Sequence, residues 1–311
     1  MESFIVCLNA VLPIFLLMAV GYGARCFHLL DRADVAKINK IVFRVFMPVM
    51  VFYNIYCSEL SSAIRGSLLG YAVLGVLAEY ALSLGYALLF VRDPSRRGVV
   101  IQGLYRSNFV IIGLPIAESL VGGDLGPVAM LLAVVIPIYN VLAVITLAVF
   151  NGKKPNLKEV ALDILKNPLI LGSVAGIAAL LAGLRLPAPV EKVVSQMSAA
   201  TSPMLLFLLG AFFQFKGMRN HWRELAAVCT GRLVLFPALF LSLAAALGFR
   251  GVDLVSLLGA FASSTAIASF TMAQQMGGDA ELAGDIVVST SALCSFTLFG
   301  WSLLFRLMGL I

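Results

Sequence analysis

Tyr105-Arg-Ser-Asn-Phe-Val-Ile-Ile-Gly-Leu-Pro-Ile-Ala-Glu118 decides how the rest of this chain is read. The stretch lies inside an apolar segment, 98–121, long enough to cross a bilayer, yet it carries Arg106, Asn108, Gly113, Pro115 and Glu118. A helix in lipid must satisfy its own backbone, so a Gly-x-Pro break with polar neighbours is tolerated only where protein or water surrounds it. Pro115 lacks an N–H and clashes with the preceding turn, so the span is expected to split there into two half-helices. The second half then offers a helix N-terminus near mid-membrane, with free N–H groups and a positive dipole end suited to an anion.

The composition agrees with that setting. Hydrophobic residues make up 61% of the 311 and charged ones 12%, about half the charged share of a soluble domain, which implies an all-α, multi-pass membrane protein. Ten apolar stretches of helical length follow in order: 4–26, 34–57, 64–90, 98–121, 125–149, 167–184, 189–213, 221–247, 253–276 and 281–308. The first has no cationic leader and no small-residue cleavage site, so it is expected to be a span and not a removable signal. The longest hydrophilic link, 151–166, carries Lys153, Lys154, Lys158 and Lys166 and reads as a linker between residues 1–150 and 167–311.

A net charge of +6 would suggest nucleic acid in a soluble chain, but here the cations sit in short loops, so no nucleic-acid partner is expected. Fourteen loop cations fall on the face after the first span (Arg25, Arg92, Arg96, Lys216 and Arg223 among them). Five, including Arg65 and Arg250, fall on the other. That bias places the first face in the cytoplasm of a cell-membrane protein and both termini outside. Cys7, Cys26, Cys57, Cys229 and Cys294 show no Cys-x-x-Cys spacing, which favours buried structural thiols over metal or redox roles. His28 and His221 fall in loops and read as solvated.

The halves repeat. An offset of 155 lays Pro13 on Pro168, Gly21 on Gly176, Pro48 on Pro203, Phe52 on Phe207 and Gly122-Gly123-Asp124 on Gly277-Gly278-Asp279. Five spans per half is an odd number, so the second half enters the membrane inverted. Inverted repeats with interrupted helices at matching positions mark secondary transporters. Asn108 maps onto Ser263, inside Phe261-Ala-Ser-Ser-Thr-Ala-Ile-Ala-Ser-Phe270. Small residues there let two backbones approach closely. Ser263, Ser264 and Thr265 bond freed backbone, a ligand, or their own helix.

The motifs Leu12-Pro-Ile-Phe, Gly21-Tyr-x-x-Arg25, Asn39-Lys-x-Val-Phe43 with Pro48, Asn108-x-x-x-x-Gly113-x-Pro115, Asn167-Pro168 and Ala273-Gln-Gln-Met-Gly-Gly-Asp279 resemble the auxin efflux carrier family over essentially the whole chain. The resemblance implies a ten-helix fold like that of plant PIN auxin carriers and bile-acid sodium symporters, in which broken helices four and nine cross and a scaffold bundle moves against a panel bundle. It places a carboxylate ligand at the crossover, near Asn108 and Asn140. Many relatives carry prolines in the ninth span where this chain has Ser264 and Thr265, which implies a milder second break or one made by hydroxyls.

Arg44, Glu79, Arg106 and Arg232 fall within spans, where an unpaired charge costs several kcal/mol, so each pairs or faces water. Glu79 and Arg232 suit a static ion pair by depth, and with Glu118 they remain open as coupling groups. Arg106 is placed to hold a carboxylate, its fork matching that group, against the alternatives of Glu118 or a backbone carbonyl. Asp285 reads as a helix N-terminal residue. No phosphate-binding loop, membrane protease motif, cofactor site or metal site is present in the pattern. The expectation is a secondary transporter, not an enzyme, carrying a malate-, malonate- or auxin-like acid, with an anion channel as the alternative and homodimerisation open.

Overall fold

The computed structural model describes residues 2–57, 66–121, 125–150, 161–162, 164–214 and 218–311, with side chains from residue 11 onward. Most of the expected linker 151–166, the repeat tripeptide Gly122–Asp124, Arg65, Lys216 and the Cys7 side chain lie outside the described residues. The described chain runs through α1 (Glu2–Cys26), α2 (Arg32–Ile41), α3 (Met47–Tyr56), α4 (Gly66–Phe90), α5 (Pro94–Tyr105), α6 (Leu114–Val121) and α7 (Gly126–Val149). The second half holds α8 (Pro168–Leu181), α9 (Ala188–Phe212), α10 (Trp222–Thr230), α11 (Phe236–Ala246), α12 (Gly251–Ala262), α13 (Ala268–Met276) and α14 (Ala280–Leu307). Among the described residues, five helices are long and apolar enough to cross a membrane: Gly66–Phe90, Gly126–Val149, Ala188–Phe212, Trp222–Ala246 and Ala280–Leu307. Val11–Cys26, Phe109–Val121, Pro168–Leu181 and Gly251–Ala262 are shorter apolar helices.

Three π turns, Val42–Phe46, Phe109–Gly113 and Gly231–Leu235, have a common cause. Each is followed by an X-Pro pair: Met47-Pro48, Leu114-Pro115 and Phe236-Pro237. A helical proline clashes with the carbonyl four residues back, here that of Arg44, Ile111 or Leu233. The wider i→i+5 turn moves that carbonyl off the ring and keeps the helix going. Pro115 therefore widens its helix and does not split it, contrary to the expectation from sequence. The break lies upstream, at Arg106–Asn108.

Helix starts on the cation-rich end are capped as the sequence dictates. Asp31, Asp93, Asn167 and Asp279 each accept a backbone N–H of the first turn of α2, α5, α8 and α14. The Ser95 hydroxyl, 2.7 Å from Asp93, holds that carboxyl below the usual carboxylate range.

The helices fall into two groups. α1, α3, α8 and α9 pack chiefly on one another, α1 on α9 and α3 on α8 with backbones nearly touching. A Cβ on Gly21 would strike the Phe207 carbonyl, and one on Gly176 would sit 3.0 Å from the Phe52 carbonyl oxygen. These are the same contact in the 155-residue register, Gly21 matching Gly176 and Phe52 matching Phe207. The Thr201 hydroxyl also donates to the Phe46 carbonyl at 3.3 Å, its own counterpart in that register. The other group contains α4, α5, α7, α10, α11, α12 and α14.

Other expectations need correction. Cys26 and Cys57 are exposed and Cys229 is half-buried, leaving Cys294 as the buried thiol among those described, because the first two fall at helix ends. His221 is not a solvated loop residue: it is 5% exposed and bonded to Asp285 at 2.9 Å. Asp285 is not the helix N-terminal residue, since Asp279 caps α14 and Asp285 lies more than a turn inside it.

Candidate functional site

The site forms where two broken helices meet. α5 stops at Tyr105, and Arg106 turns extended (φ −87°, ψ 107°). α12 stops at Ala262, and Ser263 turns extended in the same way (φ −69°, ψ 159°). The two breaks then pair as a short antiparallel bridge at Ser107 and Thr265. The Asn108 N–H donates to the Ser264 carbonyl at 2.8 Å, and the Ala266 N–H donates to the Arg106 carbonyl at 3.0 Å. The second break is therefore no milder than the first.

Ser263, Ser264 and Thr265 are fully buried and build this crossing. The Thr265 hydroxyl donates to the Gly103 carbonyl at 2.7 Å, reaching from one broken helix to the other. The Ser263 hydroxyl donates to the Gly259 carbonyl at 2.6 Å, Ser291 reaches Ser264 at 3.2 Å, and Thr290 accepts the Thr265 N–H at 3.2 Å. Where proline would break the helix by removing a donor, hydroxyls here bond the backbone groups that the break leaves free. Gly113 lets the helices touch, because a Cβ there would lie 2.9 Å from the Gly259 carbonyl oxygen.

Arg232 ties the crossing from beneath. It is fully buried, and Nε donates to the Ser263 carbonyl at 2.9 Å and Nη2 to the Ala260 carbonyl at 3.0 Å. Nη1 faces the Tyr105 and Leu104 carbonyls at 3.2 and 3.4 Å. These carbonyls are the negative ends of α5 and α12, so one guanidinium serves two helix C-termini. The Glu79 carboxylate, 3.3 Å away and fully buried, balances the charge. The open reading of Glu79 and Arg232 resolves as a buried ion pair.

A cavity of about 80 Å³ lies on the other side of the crossing, between the two helix groups. Arg106, Asn108 and Asn140 line it from one group, Met50, Asn54 and Ser202 from the other. Arg106 is 4% exposed, and among the described residues its partners are neutral. Nη1 donates to Gln102 Oε1 at 3.1 Å and to Met272 Sδ at 2.7 Å, and Nη2 donates to Asn140 Oδ1 at 2.6 Å. Glu118 is exposed on α6 and is not among them, which sets aside that pairing. The Nδ2 atoms of Asn108 and Asn140 are buried without a partner. A cation and two amides with an unused donor thus line one space, a donor set of the kind that matches a carboxylate.

Gly113, Pro115, Ser263, Ser264 and Thr265 are not among the residues lining the cavity. Asn54 and Ser202 escaped the sequence reading, although a lone asparagine in an apolar span is a usable signal. Arg44, expected inside its span, is exposed and borders a larger hollow of about 880 Å³ at the cation-rich end with Lys166, Asn167 and Gln274. Beside the larger hollow, which Gln274 lines, Asn39 accepts the Thr271 hydroxyl at 2.7 Å and donates to Gln274, joining α2 to α13.

A sequence model of the family described as "Membrane transport protein" matches residues 6–159 and again 154–302. An uncharacterized transporter of Methanocaldococcus jannaschii is 24% identical over 96% of this chain and 99% of its own length. A protein of Rhizobium meliloti named "Putative malonate transporter" is 25% identical over 95% of both chains. An uncharacterized transporter of Methanothermobacter thermautotrophicus is 23% identical over 94% of this chain and 97% of its own length.

Proposed function

We propose, from the premise that this chain belongs to the membrane transport protein (auxin efflux carrier) family, that it is a secondary transporter of a small organic anion. The observation that carries the reading is Arg106: a buried guanidinium with neutral partners, beside the unpartnered Nδ2 atoms of Asn108 and Asn140. An uncompensated buried charge costs several kcal/mol. A bound carboxylate removes that cost and takes up both amide donors. The malonate named for the Rhizobium meliloti relative fits this chemistry, as do malate and auxin-like acids.

Ten spans in two inverted halves, residues 1–150 and 167–311, make up the transporter on this reading. The mated contacts Gly21–Phe207 and Gly176–Phe52 support the repeat, because a pseudo-two-fold axis generates each from the other. The crossing of the breaks supports broken fourth and ninth helices. The cavity between the groups supports alternating access of the elevator type, with the crossover group carrying the anion past α1, α3, α8 and α9. The loop charges orient both termini outward from the cell membrane.

The test is counterflow of labelled malate, malonate, succinate, lactate and indole-3-acetate in proteoliposomes, wild type beside Asn108→Ala. Saturable exchange of one acid, lost in the variant while the protein stays folded, is the expected result. Unsaturable, voltage-driven flux would make the protein a channel, and unaltered exchange in Asn108→Ala would remove Asn108 from the site.

A further inference from the structure

The buried pair His221–Asp285 is not among the residues lining the Arg106 cavity, and its Asp285 faces the seam between α14 and α9. His221 Nδ1 and Asp285 Oδ2 are 2.9 Å apart, and the side chains are 6% and 4% exposed. The seam continues as a cavity of about 10 Å³ lined by Phe212, Phe213 and Gln214 at the end of α9, and by Glu281, Gly284 and Asp285 of α14. That is room for about one water. Glu281, half exposed at 52%, also lines it, so water in the cavity meets the pair at its Asp285 end.

We propose that His221–Asp285 is a proton-binding site whose occupancy governs the opening of the seam at the cation-rich end, and hence the rate of transport. The proposal rests on the transport reading, not on the identity of the anion. With imidazolium beside it, the Asp285 carboxylate is matched and the seam stays dry against Phe212 and Phe213. When the imidazole gives up its proton to water, the carboxylate is left buried without a cation and draws water into the seam.

Glu281 and Asp279 on the same helix also act on Asp285, and the neighbouring cations are engaged elsewhere. Arg96 of α5 is engaged by Asp279 and Glu224, each at 3.1 Å, and also lies 3.7 Å from Asp93. Glu281 is matched by Arg32 at 3.6 Å. Arg25 at the end of α1 is spent on the Phe213 carbonyl at 2.7 Å. α9 presents aromatic rings and the Gln214 amide to Asp285, and α9 and α13 bring Leu209 and Phe270 against Gly284. Arg219 and Arg223 lie in the flanking turn and on the first turn of α10 and are not among the partners of Asp285.

The experiment measures counterflow at matched internal and external pH between about pH 5 and 8, where imidazole titrates, in wild type, His221→Gln, Asp285→Asn and His28→Gln. In parallel, protein labelled with [13C]histidine is titrated by NMR in nanodiscs, the His221 signal being the one missing from His221→Gln. The wild-type rate is expected to rise with pH along the His221 titration curve, by up to about tenfold per pH unit for one linked proton. His221→Gln should flatten the profile, Asp285→Asn should move rate and titration together, and His28→Gln should keep the wild-type curve. Retention of the wild-type profile in His221→Gln, or a His221 titration that the rate ignores, overturns the proposal. Should the wild type exchange none of the acids, the functional reading fails. Amide hydrogen exchange over 280–288, corrected for its chemical rate at each pH, then decides this proposal alone: protection falling along the His221 titration supports it, and protection independent of that titration overturns it.

Discussion

Replacing Arg232 is predicted to be far more damaging than replacing Glu79, although the two form one ion pair. Glu79→Gln leaves the guanidinium on the four carbonyls of Ser263, Ala260, Tyr105 and Leu104, so the cost should stay near the lower bound of about 3 kcal/mol for breaking a buried pair. Arg232→Met strands a fully buried carboxylate, about 3–5 kcal/mol. It also orphans the two close carbonyls at 2.9 and 3.0 Å, at about 1–3 kcal/mol each. The total exceeds about 5 kcal/mol, which consumes the whole stability of many proteins. The double variant Arg232→Met/Glu79→Gln has no buried charge and loses only the carbonyl contacts, so it should be more stable than Arg232→Met alone. Thermal unfolding in nanodiscs, with the yield of folded protein, reads this order: wild type, Glu79→Gln, double variant, Arg232→Met. If adding Glu79→Gln fails to rescue Arg232→Met, the pair is not electrostatically coupled and the crossing does not depend on its charge balance.

Arg106→Lys keeps the charge but loses the fork, so KM for the transported acid should rise by about tenfold, roughly 1.4 kcal/mol. Arg106→Gln removes the charge and should abolish saturable exchange; initial-rate counterflow distinguishes the two. Gly113→Ala places a methyl 2.9 Å from the Gly259 carbonyl oxygen and against the Phe109 ring, an overpacking cost of about 1–3 kcal/mol that should lower both the unfolding temperature and the rate. Gly85→Ala, where a Cβ meets nothing within 4 Å, is the silent control.

How much of the fold and site was legible in the sequence depended on the range of the interaction. The helices and a break in the fourth could be read from local signals, apolar runs of spanning length and the polar residues inside them; the 155-residue register pointed from Asn108 to the Ser263–Thr265 cluster, and the crossing of the two breaks followed from the family resemblance alone. The bridge joins Ser107 to Thr265, within a few residues of that register. The exact place of the break was not legible, because Pro115 looks like a breaker and a π turn can absorb it. What breaks the helix is the exchange of hydrogen bonds between Arg106, Asn108, Ser264 and Ala266 around the Ser107–Thr265 bridge, which depends on a partner segment in the other half of the chain. The pairing of Glu79 with Arg232 was legible only as a depth match. His221 and Asp285 gave no local signal: their burial comes from α10 and α14 packing together, and in the sequence they stand as one loop residue and one helix residue.

The charges on the two sides of the anion cavity are unequal, and that inequality bears on how the carrier moves. α3 and α9 face the cavity with Met50, Val51, Asn54, Ser202 and Leu205, all uncharged, while the crossover group supplies Arg106. On the elevator reading proposed above, the cation would travel with the crossover, and a neutral wall would slide past it at little electrostatic cost. On that reading an empty crossover would carry an uncompensated guanidinium through the passage, whereas a crossover loaded with a monoanion would carry a matched pair. For a singly charged acid such as lactate or indole-3-acetate, loaded movement in both directions would then have the lower barrier and exchange should outrun net flux, whereas a doubly ionised malonate or malate would leave one negative charge over. Counterflow is for this reason the assay in which the Arg106–Asn108–Asn140 site should declare itself most clearly, and net uptake the one in which the cost of an empty site should show.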